Sequence, residues 1–248
     1  TEAKPDIVLV HGDTTTTCAG ALAAYYHQTT VGHVEAGLRT HNKFSPFPEE
    51  MNRKLVTAIA DLYFCPTKNN RENLLKEGVT EGLFITGNTV IDALKTTVRK
   101  DYSFTTELLN ELDYSRKVVL VTRHRRENYG QPMENIMTAL RDIALQNEDC
   151  ELVDPVHLSP VVRENAQKFL AGTPRVHLID PLSADEMHNL MARCYMVMTD
   201  SGGLQEEAPA LGKPVLVMRK ETERPEAVAA GTVKLCGVEY DDVLRMGK

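Results

Sequence analysis

Three acidic side chains stand at the ends of predicted parallel strands or at the start of a helix, where acid/base chemistry can be built. Asp13 follows the first apolar strand, Glu35 follows the second, and Glu49 opens the next helix. Neighbouring strands lie about 4.8 Å apart, so two such neighbours would bring Asp13 and Glu35 to one edge of a sheet. Crowded carboxylates raise one another's pKa, which lets one of them hold a proton near neutral pH. We weigh this role equally against a structural one, in which Asp13 caps a helix and Glu49 faces a helix dipole.

Basic side chains follow the predicted strand Lys117–Thr122, in the run Arg123-His124-Arg125-Arg126. Cationic groups at a strand end in an acidic protein favour binding of an anion, and guanidinium groups match the geometry of phosphate. His124 is also a candidate general acid or base, because imidazole titrates in the working pH range. A solvated basic turn is the equally weighted alternative.

A glycine turn follows the predicted strand Tyr195–Met198, in the sequence Ser201-Gly202-Gly203. Glycines let the backbone approach a ligand closely, and the N–H groups at the start of the next helix suit a diphosphate. Glu207 lies one turn further on, where its carboxylate can accept hydrogen bonds from ribose hydroxyls. The alternative is an ordinary glycine turn in which Ser201 caps the helix.

Composition excludes several classes of protein. The 248 residues are 42% hydrophobic and 25% charged, which is typical of a globular chain and not of a disordered one. The net charge of −7 disfavours a nucleic-acid binder. No apolar run reaches the about 20 residues that a membrane span needs. The five cysteines are far apart in sequence, which indicates reduced thiols in a cytoplasmic protein. Motifs for dinucleotide, P-loop and zinc binding do not occur, so we expect no metal and no cofactor.

Predicted strands and helices alternate along the whole chain, which is typical of α/β proteins with parallel sheets covered on both faces. A polar and weakly patterned stretch, Asp101–Arg116, separates two series of elements. We predict two Rossmann-like domains, over residues 1–87 and 88–248, with a ligand cleft between them. The helical pattern at the chain's end leaves open a last helix that returns to the first domain. Since the chain starts without Met and enters a strand at once, we expect it to be an interior piece of a longer protein.

Seven short stretches, in order along the chain, together resemble the non-hydrolysing UDP-N-acetylglucosamine 2-epimerases. Each stretch alone is weak evidence, but a collinear match from Pro5 to about Gly237 is specific. The stretches are Val10–Thr14, His33–Arg39, Pro48–Arg53, His124–Asn128, Pro155–Leu158, Thr199–Glu207 and Thr222–Ala227.

The resemblance implies a glycosyltransferase-B-like arrangement of two Rossmann-like domains, with the nucleotide sugar held in the cleft. It implies reversible conversion of UDP-N-acetylglucosamine (UDP-GlcNAc) into UDP-N-acetylmannosamine (UDP-ManNAc), by elimination of UDP to 2-acetamidoglucal and re-addition. UDP-GlcNAc and UDP are then the ligands, no cofactor is needed, and a cytoplasmic homodimer is expected. The alternatives are a hydrolysing relative that releases UDP and ManNAc, a glycosyltransferase, and an inactive UDP-sugar-binding remnant.

The same resemblance implies roles for individual residues of this sequence. The residues that match the family's sites are Asp13, Glu35, Glu49 and His124 for catalysis, Arg53, Ser201, Gly202, Gly203 and Glu207 for UDP, and Glu49, Arg125 and His157 for a second, activating UDP-GlcNAc.

The chain also departs from the family pattern. It lacks the C-terminal tail and roughly 80 N-terminal residues, so we expect a partial first domain without its first strands. Arg123 stands where the family usually has a small residue, and Asp154 stands where an aromatic residue is common. Ser159-Pro160-Val161 replaces an Asn-Pro-Asn-like turn. We expect these three changes to affect affinity and regulation more than chemistry, because they flank the nucleotide and activator sites.

Overall fold

Parallel strands and helices alternate throughout residues 3–247, the part of the chain that this computed structural model describes. The chain forms two units, one from Thr1 to Thr89 and one from Val90 to Lys248. Each unit has its own parallel sheet, so the predicted α/β class is confirmed. Among the described residues, no helix is long and apolar enough to cross a membrane.

The sheet of the first unit has the strand order β1-β2-β3-β4, and all three pairings are parallel. Buried side chains of strands and helices form its core, among them Val10, Val31, Val56 and Leu74. Strand β1 is an edge of this sheet, and its Leu9 is 63% exposed. The strands are β1 Ile7–His11, β2 Thr30–Val34, β3 Leu62–Cys65 and β4 Leu83–Ile85, and the helices are α1 Thr15–Tyr26, α2 Glu49–Ile59 and α3 Lys68–Lys76.

The sheet of the second unit has the strand order β10-β9-β8-β5-β6-β7, and again every pairing is parallel. Its strands are β5 Lys117–Thr122, β6 Cys150–Pro155, β7 Val176–Ile179, β8 Met196–Thr199, β9 Val215–Val217 and β10 Val233–Leu235. Its helices are α4 Thr89–Thr97, α5 Glu107–Glu111, α6 Gln131–Gln146, α7 Pro160–Leu170, α8 Ala184–Arg193, α9 Leu204–Ala210, α10 Pro225–Ala229 and α11 Tyr240–Gly247.

The strand order of the second sheet reverses direction between β5 and β8. From β5 the chain moves outward through β6 and β7, and then returns to place β8 on the other side of β5. In such sheets a crevice opens at the carboxyl ends of the two strands where the order reverses, and ligands bind there. The segments that follow Thr122 and Thr199, which pair across β5 and β8, therefore flank the expected ligand site.

The stretch Asp101–Arg116 is part of the second unit and not a separator between two series of elements. Phe104 and Leu109 are buried in its core, and the guanidinium of Arg193 lies 4.9 Å from the centre of the Phe104 ring. Helix α5 lies within this stretch and was not predicted. Its five residues are too few to show a helical period in the sequence.

The last helix belongs to the second unit. Helix α11 packs against α6, and its Val243 is fully buried in the core there. Gly247 also lies against Ile143 of α6. Helix α11 therefore contributes to the core of the second unit.

Gly37 provides a test of local packing in the first unit. Its φ is +85°, and a Cβ at this position would lie 2.2 Å from the carbonyl oxygen of Asn70 in α3. We expect Gly37→Ala to lower the free energy of unfolding by about 3 kcal/mol, because a strained backbone and a clash with main chain add together. Gly78→Ala is the matched control, since Gly78 has φ +92° but nothing within 4 Å. It should cost about 1 kcal/mol. Urea denaturation measures both, and equal losses would contradict the role of the Asn70 contact.

Candidate functional site

The pairing of β1 with β2 brings two of the predicted acidic residues together in the first unit. His11 pairs with Val34 in register, and the Gly12 N–H donates to the Val34 carbonyl at 3.0 Å. This register sets the carboxylate of Glu35 beside the loop that carries Asp13. The Nε2 atom of His11 lies 3.9 Å from Glu35 Oε2. A Cβ on Gly12 would lie 3.1 Å from the same oxygen, so the glycine leaves room for the carboxylate.

Glu35 has an unusual backbone conformation. Its backbone φ is +66°, in a region that residues other than glycine rarely adopt. Such a conformation costs of order 1–3 kcal/mol and is concentrated at functional sites. Because Glu35 lies just after a strand and caps no helix, the strain is consistent with a carboxylate aimed at a ligand.

Asp13 does not cap helix α1. Thr14 is the N-cap, and its hydroxyl accepts a hydrogen bond from the Thr17 N–H at 3.2 Å. The Asp13 carboxylate instead forms an ion pair with Arg53, and the Asn52 amide donates to the Asp13 carbonyl at 2.8 Å. These contacts join helix α2 to the loop after β1. The alternative prediction, in which Asp13 caps the helix that follows it, is therefore wrong.

Two adjacent acids open α2 with different surroundings. Glu50 is fully buried and accepts hydrogen bonds from the backbone N–H groups of Thr40 and His41, both at 3.1 Å. It also lies 3.4 Å from the Arg53 guanidinium. Glu49 stands in the same first turn and is partly exposed. Glu50 therefore anchors the loop before α2, and Glu49 is the partly exposed acid of this turn.

His33 is a buried histidine of β2 that the sequence did not single out. Its Nε2 lies 2.8 Å from the carbonyl oxygen of Gly12, and the side chain is fully buried. Burial lowers the pKa of His33 to about 4, so the ring is neutral and its Nε2–H donates to Gly12. His33 thus holds the loop after β1 in place beside Glu35.

A buried carboxylate organises the crevice of the second unit. Asp200, directly after β8, is fully buried and accepts hydrogen bonds from the backbone N–H groups of His124 at 3.0 Å and Arg125 at 2.9 Å. The Asn128 amide donates to the same carboxylate at 3.2 Å. A buried charge needs such donors to offset its desolvation. Asp200 therefore fixes the basic loop after β5, a role that sequence reasoning missed although the residue lay in a quoted motif.

The ring of His124 is held between Asp200 and His157. Its Nδ1 lies 3.3 Å from Asp200 Oδ1, and its ring stacks on that of His157 with centres 5.5 Å apart. Burial lowers the pKa of His124, while the Asp200 carboxylate opposes that shift. A carboxylate at Nδ1 favours the tautomer that keeps its proton there, so Nε2 is the atom available for acid/base chemistry. His124 and His157, predicted for separate roles, lie in contact.

Cationic groups converge on the Ser201-Gly202-Gly203 turn. A Cβ on Gly202 would lie 2.7 Å from Arg224 Nη1 and 3.4 Å from Arg125 Nη2, so only glycine leaves space for these groups. Gly203, and not Ser201, is the N-cap of α9. No role for Arg224 followed from the sequence, although the residue lies in the stretch Thr222–Ala227.

Arg224 is itself held in place by acids. It forms ion pairs with Glu206 and, at 2.7 Å, with Glu223. Glu223 also accepts from Arg219 at 3.0 Å, and Arg219 lies 3.1 Å from Glu127. This network joins the loop after β9 to the start of α9 and to the loop after β5. The network therefore fixes the guanidinium group of Arg224 beside the turn.

Arg123 and Asp154, which the resemblance predicts to be departures from the family pattern, form one buried ion pair. Arg123 Nη1 contacts Asp154 Oδ2, and the side chains are 1% and 2% exposed. Arg123 directly follows β5 and Asp154 lies in β6, so the pair joins two neighbouring strands of the second sheet.

Among residues 3–247, no group of three or more His, Cys, Asp or Glu side chains is arranged to hold a metal ion.

Removal of one member of the buried pair should destabilise the protein. Asp154→Leu leaves the Arg123 guanidinium buried without its partner, so we expect a loss of about 3 kcal/mol in the free energy of unfolding. Adding Arg123→Met removes the second charge and should recover most of that loss. Urea denaturation of both single variants and the double variant gives the coupling energy. Losses that simply add in the double variant would contradict the coupling.

Comparisons with known proteins identify the family of this chain. The family model for UDP-N-acetylglucosamine 2-epimerase matches residues 1–248. A Clostridium acetobutylicum relative is 63% identical over 243 residues, which are 97% of this chain and 63% of that protein. The UDP-N-acetylglucosamine 2-epimerase of Bacillus subtilis is 58% identical over 246 residues, which are 99% of this chain and 64% of that enzyme. The chain thus spans less than two thirds of the length of these relatives.

A solved structure gives the same result. The crystal structure of the Neisseria meningitidis UDP-GlcNAc 2-epimerase bound to UDP-GlcNAc superimposes with a TM-score of 0.94 at 46% identity, over 98% of this chain and 67% of that chain. The predicted glycosyltransferase-B-like class with Rossmann-like parallel sheets is confirmed by this likeness. The chain belongs to the UDP-N-acetylglucosamine 2-epimerase family.

Proposed function

We propose that the protein carrying this chain interconverts UDP-GlcNAc and UDP-ManNAc without hydrolysis. The observation that carries the proposal is the acidic set at the carboxyl ends of β1 and β2, where Glu35 lies beside His11 and Gly12. Inversion at C2 needs groups that remove and return a proton, whereas transfer of the sugar to an acceptor needs no such set at C2.

The reaction balances as an elimination followed by an addition. A carboxylate takes the proton from C2, the C1–O bond breaks, and its electron pair leaves with UDP, giving 2-acetamidoglucal. UDP then adds back to C1 while a proton returns to the other face of C2. Since the C2–H is a poor acid, C–O cleavage runs ahead of proton loss, and stabilising charge on the departing diphosphate is the larger contribution.

The residues have separate roles in this scheme. Asp13, Glu35 and Glu49 form the acid/base set, and His124 acts with them through Nε2. The cationic groups around the Ser201-Gly202-Gly203 turn hold the diphosphate, with Arg53 as a further cation, and Glu207 accepts hydrogen bonds from the ribose. The ion pair between Asp13 and Arg53 supports roles for both residues in one site, because each charge changes the electrostatic potential at the other.

Activation by a second UDP-GlcNAc belongs to the same proposal. Glu49, Arg125 and His157 are its candidate ligands. The stacking of His157 on His124 supports such regulation, because a ligand that moves one ring would move the other. We also propose a cytoplasmic homodimer that supplies UDP-ManNAc to cell-surface polysaccharide.

Proton NMR of the protein with UDP-GlcNAc in D₂O tests the reaction. We expect UDP-ManNAc to appear with deuterium at C2, because the proton removed exchanges with solvent before return. Free ManNAc with UDP would favour the hydrolysing relative, and UDP-GlcNAc binding without turnover would favour a binding remnant. Glu35→Gln should abolish turnover and leave UDP binding intact. Loss of UDP binding in this variant would contradict the role of Glu35.

Asp200→Asn tests the orientation of His124. The amide of an asparagine at this position cannot accept hydrogen bonds from the two backbone N–H groups, or favour the Nδ1–H tautomer of His124, as the carboxylate does. We therefore expect kcat to fall about a hundredfold or more. Because Asp200 raises the pKa of His124, its loss should move the acidic limb of the kcat–pH profile to lower pH. Asp180→Asn is the control, since Asp180 is 93% exposed. An unchanged limb in Asp200→Asn, with fold retained by circular dichroism, would contradict the orientation.

A further inference from the structure

We infer that Arg219 is a positioning residue for the diphosphate of the nucleotide sugar, which it serves by sharing the carboxylate of Glu223 with Arg224. The inference rests on the proposed function, in which the cationic groups around the turn that contains Gly202 hold the diphosphate. Arg219 lies outside the seven stretches that carry the resemblance, and the proposed reaction gives it no role.

Arg219 follows strand β9 at the carboxyl end of the second sheet. The N–H of Met218 donates to the carbonyl of Thr199 at 2.9 Å, so Arg219 comes directly after a residue that is bonded to the end of β8. The glycine turn begins at that end of β8. The side chain of Arg219 is 1% exposed. A guanidinium group buried to this extent needs acidic partners, and it has two of them on separate loops.

The guanidinium of Arg219 contacts the two acids through different nitrogens. Its Nε donates to Oε1 of Glu127 at 3.1 Å, in the loop after β5, and its Nη1 donates to Oε2 of Glu223 at 3.0 Å. The side chain of Glu127 is 29% exposed, whereas that of Glu223 is 1% exposed. Water screens the attraction to Glu127 more strongly, so the buried contact with Glu223 is the stronger of the two.

Glu223 uses its other oxygen for Arg224. Arg224 Nη1 donates to Oε1 of Glu223 at 2.7 Å, so one buried carboxylate bridges two guanidinium groups. The bridge lies against the turn, because a Cβ on Gly202 would be 2.6 Å from Oε1 of Glu223 and 2.7 Å from Nη1 of Arg224. Arg224 also pairs with Glu206 in the first turn of α9. The bridge therefore sets where the charge of Arg224 lies relative to the turn.

Sharing the carboxylate preserves positive charge beside the turn. A carboxylate with one guanidinium partner neutralises it, whereas a carboxylate between two guanidinium groups leaves the three groups together with a net positive charge. Without Arg219, the buried charge of Glu223 would depend more on Arg224. Arg224 would then hold this carboxylate more tightly and attract a diphosphate less. Arg219 thus acts on the diphosphate through Glu223 and Arg224.

Calorimetry of UDP binding to a single and a double variant tests the inference. Arg219→Met removes the second cation, and we expect the Kd for UDP to rise about tenfold, because Glu223 then neutralises Arg224. Adding Glu223→Gln removes the carboxylate charge as well, and should return the Kd to within about threefold of the wild type. A purely structural role predicts the opposite, since a second change in the same buried network would weaken binding further.

Glu223→Gln alone keeps the test decisive if Arg219→Met does not fold, which circular dichroism reports. It removes a negative charge beside the turn and keeps an acceptor for Arg224, so we expect UDP to bind at least as tightly as to the wild type. Arg245→Met is the matched control, because Arg245 lies on α11 and pairs with Asp242 on the exposed surface. This control should leave the Kd for UDP unchanged.

Arg224→Met separates failure of the inference from failure of the proposed function. If Arg224→Met binds UDP as the wild type does, or if the wild type binds no UDP, the proposed role of the cationic groups around the turn fails. If Arg224→Met weakens UDP binding but Arg219→Met does not, the inference about Arg219 is overturned. No recovery in the double variant, or weaker binding of UDP by Glu223→Gln than by the wild type, would likewise overturn it.

Discussion

The second unit depends on one buried charge, the carboxylate of Asp200. A fully buried carboxylate is costly unless donors surround it, and here the donors are two backbone N–H groups and the Asn128 amide of the loop after β5. The same requirement that stabilises the charge thus fixes the path of that loop. It directs the ring of His124 and the guanidinium of Arg125, so the chemistry of the crevice follows from solvation of one acid.

The absence of a Cβ atom at three glycines is the second structural constraint, and it applies in both units. The carboxylate of Glu35 lies where a Cβ on Gly12 would crowd it, and that of Glu207 lies over Gly203. At Gly202 a Cβ would collide with the ion-paired side chains behind the turn. Each glycine therefore gives its space to a charged side chain, which is a different role from the close backbone approach to phosphate that the sequence suggested for the turn.

The parts of the site that could be predicted are those that follow from strand ends. Parallel strands of one sheet bring the residues that follow them to the same edge of that sheet. Asp13 and Glu35 after the first sheet's strands, and His124 after a strand of the second sheet, could therefore be found from β-strand patterns and short motifs alone. The contacts of Arg224 could not, because they depend on how the loop after β9 packs against the start of α9. Helix α5 escaped for a related reason, since burial of Leu109 and not any local period stabilises it.

The Arg123–Asp154 pair shows why departures from a family pattern should be judged together. Each change alone would put an ionised group into a site that is almost fully buried, and such a group costs several kcal/mol without a partner. Together the two charges form one ion pair between β6 and the residue that follows β5. The two side chains therefore act as one structural unit, since neither charge would be tolerated there without the other.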